Sequence, residues 1–261
     1  MFKKKIFCLF FIFLFTGCLQ SPYVKKLHLN MDVSEAPEVH GANTYQLSNT
    51  SLKRLSGKLN YNIEDEREFE NGSKDIVYEV GVLDFTLKYD YIKKGKDWKD
   101  YLFAGAGVGY KDGLFYHFSL GANMPHIEIG GFLGLYHHFT LLDYKGEYCT
   151  EFFLFFPTEC EPFSKEDYDI TTSFFVGAFA SFYLEKFFIN YSVSVYNPTP
   201  TLKMPNGDYS LSLPSISSHY LALGYRLNKN LEFTSGAIFN YINSPAASWY
   251  IGFTSGINFY L

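Results

Sequence analysis

Few side chains in this sequence have the chemistry for acid–base work. His117, Glu128, His138, Arg226 and Glu232 each sit on the polar row of a segment that alternates apolar and polar residues. An imidazole base oriented by a carboxylate can activate a hydrolytic nucleophile, provided that all three come within hydrogen-bond reach. The spacing brings no such set together. His137 and His138 are neighbours in an alternating segment and so point to opposite faces, and no serine or acid stands out as their partner. The reading of these residues is structural: buried charge demands pairing, which makes Glu128 or Glu232 the expected partner of Arg226. No catalytic residue is assigned.

Cofactor chemistry has no better foothold. Cys149 and Cys160 lie close together without a nearby histidine set, a poor metal site and a natural disulfide in an exported chain. No helical metal-ligand spacing is present. The run GAGVGY, 105–110, has glycines like a dinucleotide loop, but it lies inside a strand with no βαβ context. No cofactor and no metal is expected.

The elements that position these residues are strands. The chain ends on WYIGFTSGINFYL, with Trp249, Ile251, Phe253, Ile257, Phe259 and Leu261 on one side and Gly252, Thr254, Gly256 and Asn258 on the other. The same alternation recurs from Leu52 onward. A long segment from Ile76 to Tyr91 changes parity near Val82, where a bulge is expected. Further segments begin at Leu102, Leu114, Ile127, Ile170, Phe187, Leu221 and Leu231. About ten strands result, with eight as the smaller alternative. Their connections alternate in length. NKN, EK and NMPH are short, whereas EDEREFENGSKD, a loop of roughly 143–167 carrying the cysteines, and the proline-rich 197–215 are long. Residues 18–50 show little periodicity and are read as a spacer.

Two solvents could meet the oily rows. In a soluble sheet they form the core; in a membrane barrel they face lipid. Aromatics make up 20% of the chain, 28 Phe and 22 Tyr against 2 Trp, a surplus suited to lipid and its interface. Mean hydropathy is −0.07, but alternation hides a barrel from such averages. Many rows run over about 9–11 positions, the length of a tilted membrane-crossing strand. Glycines concentrate on the non-oily rows, where they leave room for Tyr136, Phe179, Tyr220 and Tyr260 in a narrow lumen. The expected fold is all-β, an antiparallel up-and-down transmembrane β-barrel over 51–261. Short turns belong on the periplasmic side, and an even strand count then places both termini there.

The first residues, MFKKKIFCLFFIFLFTGCLQ, carry three lysines and then a short apolar run, an export signal in 1–17. Phe15-Thr16-Gly17-Cys18 resembles the lipobox of bacterial lipoproteins. The resemblance implies that Cys18 becomes an acylated, palmitate-type N-terminus. Loss of the signal leaves 19 basic against 27 acidic residues, a balance that argues against a nucleic-acid partner. Thr254 to Leu261 resembles the C-terminal β-signal of outer-membrane proteins, which implies recognition by the barrel-assembly machinery; it ends in Leu261 rather than the commoner Phe.

The expected protein is a monomeric outer-membrane barrel, lipid-anchored, with a structural, surface-interaction or minor small-solute transport role. Two alternatives stand beside it. One is a membrane-embedded lipid hydrolase. Small barrels of this kind include the lipid A deacylases, whose site is serine, histidine and an acid, and no local motif here resembles it. The other is a soluble, lipidated, lipocalin-like carrier with its oil inside.

Overall fold

The computed structural model describes residues 21–42, 51–63, 66–71, 74–95, 101–151, 159–204, 207–243 and 248–261. Strand β1 is Ser21–Val33, β2 Ser51–Asn62, β3 Glu66–Asn71, β4 Lys74–Val80 and β5 Leu83–Lys94. Then come β6 Leu102–Tyr110, β7 Gly113–Asn123, β8 Ile127–Glu151, β9 Glu159–Leu184 and β10 Phe187–Tyr196. The last five are β11 Thr201–Met204, β12 Gly207–Ser210, β13 Ile216–Asn228, β14 Leu231–Ile242 and β15 Ser248–Tyr260.

Ten of these strands close on themselves. The order is β2-β5-β6-β7-β8-β9-β10-β13-β14-β15, and β15 returns to β2 with Phe259 opposite Leu55. Every pairing around the wall is antiparallel. Strict alternation of exposure in β2 and β5 follows the period-2 geometry of a strand. The outside is oily: Phe233, Phe253 and Leu223 are 42%, 55% and 65% exposed. The inside is polar or small, with Ser56, Asn60, Thr86, Ser192 and Asn258 buried. This is the membrane orientation. It overturns the lipocalin-like alternative, which needs the oily rows in the centre. Exposed Tyr61, Tyr110, Tyr168 and Trp249 ring one end of the apolar band, and Tyr91 and Tyr101 lie at the other, as interfacial aromatics do.

The two ends of the barrel differ. Short connections at 124–126, 185–186 and 229–230 share one end with Tyr260, which pairs with Arg54. The other end carries β3–β4, the β11–β12 hairpin and the upper halves of β8 and β9. One tight turn also belongs to this loop-bearing end, at Lys111-Asp112. Asp112 adopts φ 45° and Gly113 φ 155°, and a Cβ on Gly113 would lie 2.0 Å from the His137 carbonyl oxygen.

Above the wall stands a cap, and here several expectations are corrected. Residues 143–151 and 159–167, expected within a loop, are strand: β8 and β9 stay in register from Ile127↔Phe182 up to Thr150↔Glu159. The span 76–91 is two strands rather than one bulged strand. β4 leaves the wall to pair in parallel with β1, which explains the parity change at Val82. The proline-rich stretch folds into β11–β12. Residues 21–33, expected as a spacer, form β1, which is sandwiched between β4 and the top of β8. The cap buries Leu27, Leu29, Met31, Ile76, Tyr78, Leu142, Tyr144, Leu202 and Leu213, in one apolar cluster continuous with the inward aromatics of the barrel.

Candidate functional site

The site begins with nine residues. From Val33 the chain turns into the barrel, and residues 34–42 run inside it, all buried. An extended segment cannot satisfy its own peptide groups, so each needs a partner from the wall. The wall supplies them in sequence from the loop-bearing end downward. Ser34 hydroxyl lies 2.6 Å from Tyr136 hydroxyl, and Tyr196 donates to the Ser34 carbonyl at 2.8 Å. The Ala36 amide donates to Ser218 Oγ at 2.9 Å, and Tyr220 donates to the Ala36 carbonyl at 2.5 Å. Ser192 donates to the Val39 carbonyl at 2.8 Å. Near the turn-bearing end, the Ala42 amide donates to Glu128 Oε1 at 2.8 Å.

Charge follows the same path. Along the lumen the wall presents Arg54, Lys58, Lys88 and Lys111 against Asp84 and Asp90, all buried. The threaded segment contributes Glu35, which bonds Lys111, and Glu38, which bonds Lys58. Lys111 also meets Asp84 at 3.0 Å, and Lys88 meets Asp90 at 3.5 Å. Four cations thus face four carboxylates. A buried charge without a partner costs several kcal/mol, of order 3–5 when one member of a pair is removed, so wall and thread are electrostatically matched.

Little space is left. The cavity between Glu38, Lys58, Lys88, Lys111 and Tyr220 measures about 10 Å³, close to the room one water occupies. Phenyl rings pack over the glycine rows. Phe115 lies over Gly109, Phe175 over Gly134, Phe132 over Gly177 and Phe188 over Gly224, where a Cβ would come within 2.0–2.4 Å of a ring or backbone atom. The glycine rows therefore make room for inward aromatics, more of them than the four large side chains anticipated.

The five polar residues singled out from the sequence all face inward but do not form one cluster. Arg226 Nε donates to Glu232 Oε1 at 2.8 Å, and Tyr260 hydroxyl donates to Glu232 Oε2 at 2.5 Å, near the turn-bearing end. Glu128 instead holds the Ala42 amide. His117 Nε2 lies 3.2 Å from Asp90 Oδ1, and His138 Nδ1 lies 3.0 Å from Thr140 Oγ1. His137 faces outward and contacts Thr172 Oγ1 at 2.9 Å. None of these contacts joins a nucleophile, an imidazole and a carboxylate. Among the described residues no group of three or more His, Cys, Asp and Glu side chains is placed to hold a metal. At the top of the cap, Cys149 and Cys160 are opposite one another on the β8–β9 ladder, with their sulfurs 2.07 Å apart. Cys18 lies outside the described residues.

The thread itself was missed. Its entry strand had a signal, since Leu27, Leu29, Met31 and Val33 alternate with Lys26, His28, Asn30 and Asp32. The rows Arg54-Ser56-Lys58 and Asp84-Thr86-Lys88-Asp90 were legible as one face of a strand. Their charge called for partners inside the lumen, and only the fold shows that residues 34–42 supply some of them.

A closed ten-stranded antiparallel wall with an oily exterior and a packed polar interior defines a transmembrane β-barrel of the outer-membrane type. No protein-family model and no curated protein matches the chain. Solved structures of outer-membrane barrels align with the chain at low identity and low TM-score. The outer membrane protease OmpT from Escherichia coli is 11% identical over 81% of this chain and 96% of its own, with a TM-score of 0.34. The monoaromatic hydrocarbon channel CymD is 9% identical over 83% and 90%, with a TM-score of 0.37. The N-terminal barrel of Pseudomonas aeruginosa OprF is 11% identical over 80% and 98%, with a TM-score of 0.29. A protease and a channel stand among them, and the fold alone assigns neither activity to this chain.

Proposed function

We propose that this protein is an outer-membrane barrel with a structural or surface-interaction role, closed to solutes, whose working surface is the cap at its loop-bearing end. The observation that carries this reading is the filling of the lumen by residues 34–42, matched to the wall in both hydrogen bonds and charge. Solute passage needs a continuous wet path, and beside Glu38, between Lys58, Lys88 and Tyr220, the void is about 10 Å³. The reading includes a signal in 1–17, acylation of Cys18, folding by the barrel-assembly machinery and a monomeric barrel. Purified full-length protein reconstituted into planar bilayers is expected to give no stepwise conductance. Stable unitary currents from the wild-type chain would refute closure and favour a transport role.

A further inference from the structure

The thread has a direction, and the direction decides which end of the barrel Ser21 occupies. β1 pairs with the top of β8, from Met31↔Leu142 up to Ser21↔Glu151. The chain then descends past Ser34 at Tyr136 to Ala42 at Glu128, and re-enters the wall as β2. Ser21 and Tyr260 therefore lie at opposite ends of the barrel. The expectation that both termini share the short-turn side treated residues 18–50 as lying outside the barrel, whereas 34–42 run inside it, and the proposed topology departs from that expectation.

We propose that the barrel carries its own N-terminal segment through the membrane and displays Ser21–Val33 on the loop-bearing, external face. The proposal rests on the closed-lumen reading and adds a topology to it. Three observations support it. The peptide groups of the thread are met by side chains from β8, β10 and β13 on one arc of the wall, and from β2 and β5 on another, where Arg54 donates to the His40 and Gly41 carbonyls and Lys88 to the Glu38 carbonyl. Glu35 and Glu38 balance wall cations that would otherwise stand in excess. β1 is bonded on both flanks, by β4 and by β8.

One consequence concerns the lipid. The outward apolar row of β8 ends at Leu141, and Glu151 lies ten residues further on, about 33 Å along the strand at roughly 3.3 Å per residue. Cys18 is three residues from Ser21, a reach of about 10 Å. An acyl chain on Cys18 cannot return to the inner leaflet while β1 is paired and 34–42 fill the lumen. An inner-leaflet anchor and the thread are mutually exclusive, and the acyl group belongs to the external side.

Labelling with a membrane-impermeant maleimide separates the possibilities. Lys25 is half-exposed on β1, and Lys229 lies in the turn between β13 and β14. In intact cells making the full chain, Lys25→Cys is expected to label at once, and Lys229→Cys only after permeabilisation. Lys26→Cys repeats the first measurement should Lys25→Cys assemble poorly. The pair Ala36→Cys and Ser218→Cys, whose parent residues are hydrogen-bonded, is expected to give a reductant-sensitive mobility shift that neither single variant gives. Cross-linking with Lys25→Cys and Lys26→Cys hidden in intact cells overturns the external placement and leaves the closed lumen standing. Hidden cysteines without cross-linking overturn both. Labelling at position 229 in intact cells overturns the assignment of the faces.

Discussion

Arg54 and Asp90 stand directly opposite one another on β2 and β5, and the guanidinium grips the carboxylate through Nε at 2.9 Å and Nη2 at 2.6 Å. The same side chain donates to the carbonyls of Gly41 and His40 at 2.6 and 3.0 Å. One planar fork thus ties wall to wall and wall to thread, a geometry that lysine cannot reproduce. Arg54→Met is expected to cost about 3–5 kcal/mol, the penalty for stranding a buried partner. Arg54→Lys should keep part of the pairing but release the two carbonyls. Asp90→Asn added to Arg54→Met should recover part of the loss. Urea midpoints in detergent micelles measure all three, and an unchanged midpoint for Arg54→Met would contradict the role given to this contact.

A second prediction concerns the glycine rows. A Cβ on Gly224 would lie 2.0 Å from the Phe188 ring, whereas one on Gly236 would lie 2.0 Å from the Leu221 carbonyl oxygen. A ring can be removed and a wall strand cannot. Gly224→Val is expected to cost about 1–3 kcal/mol through overpacking, and Phe188→Ala should recover much of it in a double-mutant cycle. Gly236→Val should cost as much or more, without rescue by Phe188→Ala. Equal rescue of both would show that the clash with the ring is not the cause.

On the lipid side, Phe253 is exposed in the middle of β15, opposite Ala237. Phe253→Lys is expected to lower stability by about 2–4 kcal/mol, the cost of a cation near the bilayer midplane. Its inward neighbour Thr254 meets no lipid, and Thr254→Ser should change little. Refolding into phospholipid vesicles reads the difference. A neutral Phe253→Lys would mean that this row does not face hydrocarbon.

The wall was legible because its signal is local. Alternation in Leu83 to Tyr91 or Trp249 to Leu261 encodes which side chains face which solvent, and the observed burial follows it. A carboxylate partner for Arg226 was legible too, as Glu128 or Glu232; the structure pairs it with Glu232 across the β13–β14 turn. The thread and cap were not. Ser34 meets Tyr136 and Ala36 meets Ser218 across 102 and 182 residues, and no periodicity announces a segment whose partners are side chains. Tyr144 is another example: its position in β8 resembles any inward site until the β11–β12 hairpin arrives to bond it through Lys203.

That hairpin gives a pH-dependent prediction. Lys203 Nζ lies 2.9 Å from Asp167 Oδ2, and the Thr201 amide donates to Asp169 at 2.7 Å. The hydrogen bond from Lys203, with help from Lys165, holds the Asp167 carboxyl below its ordinary 3.8; the same bond raises Lys203 above 10.5. A depressed acid stabilises the fold above its unfolded value and loses that contribution as pH falls through the folded one. A raised lysine stabilises below its unfolded value and loses that contribution as pH rises through the folded one. Amide exchange across 201–210, corrected for its intrinsic pH dependence, should therefore be slowest between these limits and speed up in acid as Asp167 takes its proton. In Lys203→Ala the Asp167 titration, followed by NMR, should move up toward 3.8. An unmoved midpoint would sever the link between hairpin and hydrogen bond.

The cysteine pair clasps the cap rather than the barrel. Cys149 and Cys160 face one another one step below the last described rung, Thr150↔Glu159, and are 11 residues apart in sequence. Closing so short a loop stabilises by about 3 kcal/mol at most. Most of that is already secured, because β8 is paired with β9 on one side and with β1 on the other as far as Glu151. Reduction, or Cys149→Ser with Cys160→Ser, should then open the structure locally. Amide exchange should rise in 142–151 and 159–166 and along β1, with Ile127 to Phe139 and β10 unchanged. The unfolding midpoint of the barrel should stay where it is, since the wall closes through β15 and β2 without the cap. A fall in that midpoint on reduction would mean that cap and barrel unfold as one, and that the thread, which joins them at Val33 and Ser34, transmits the loss from cap to wall.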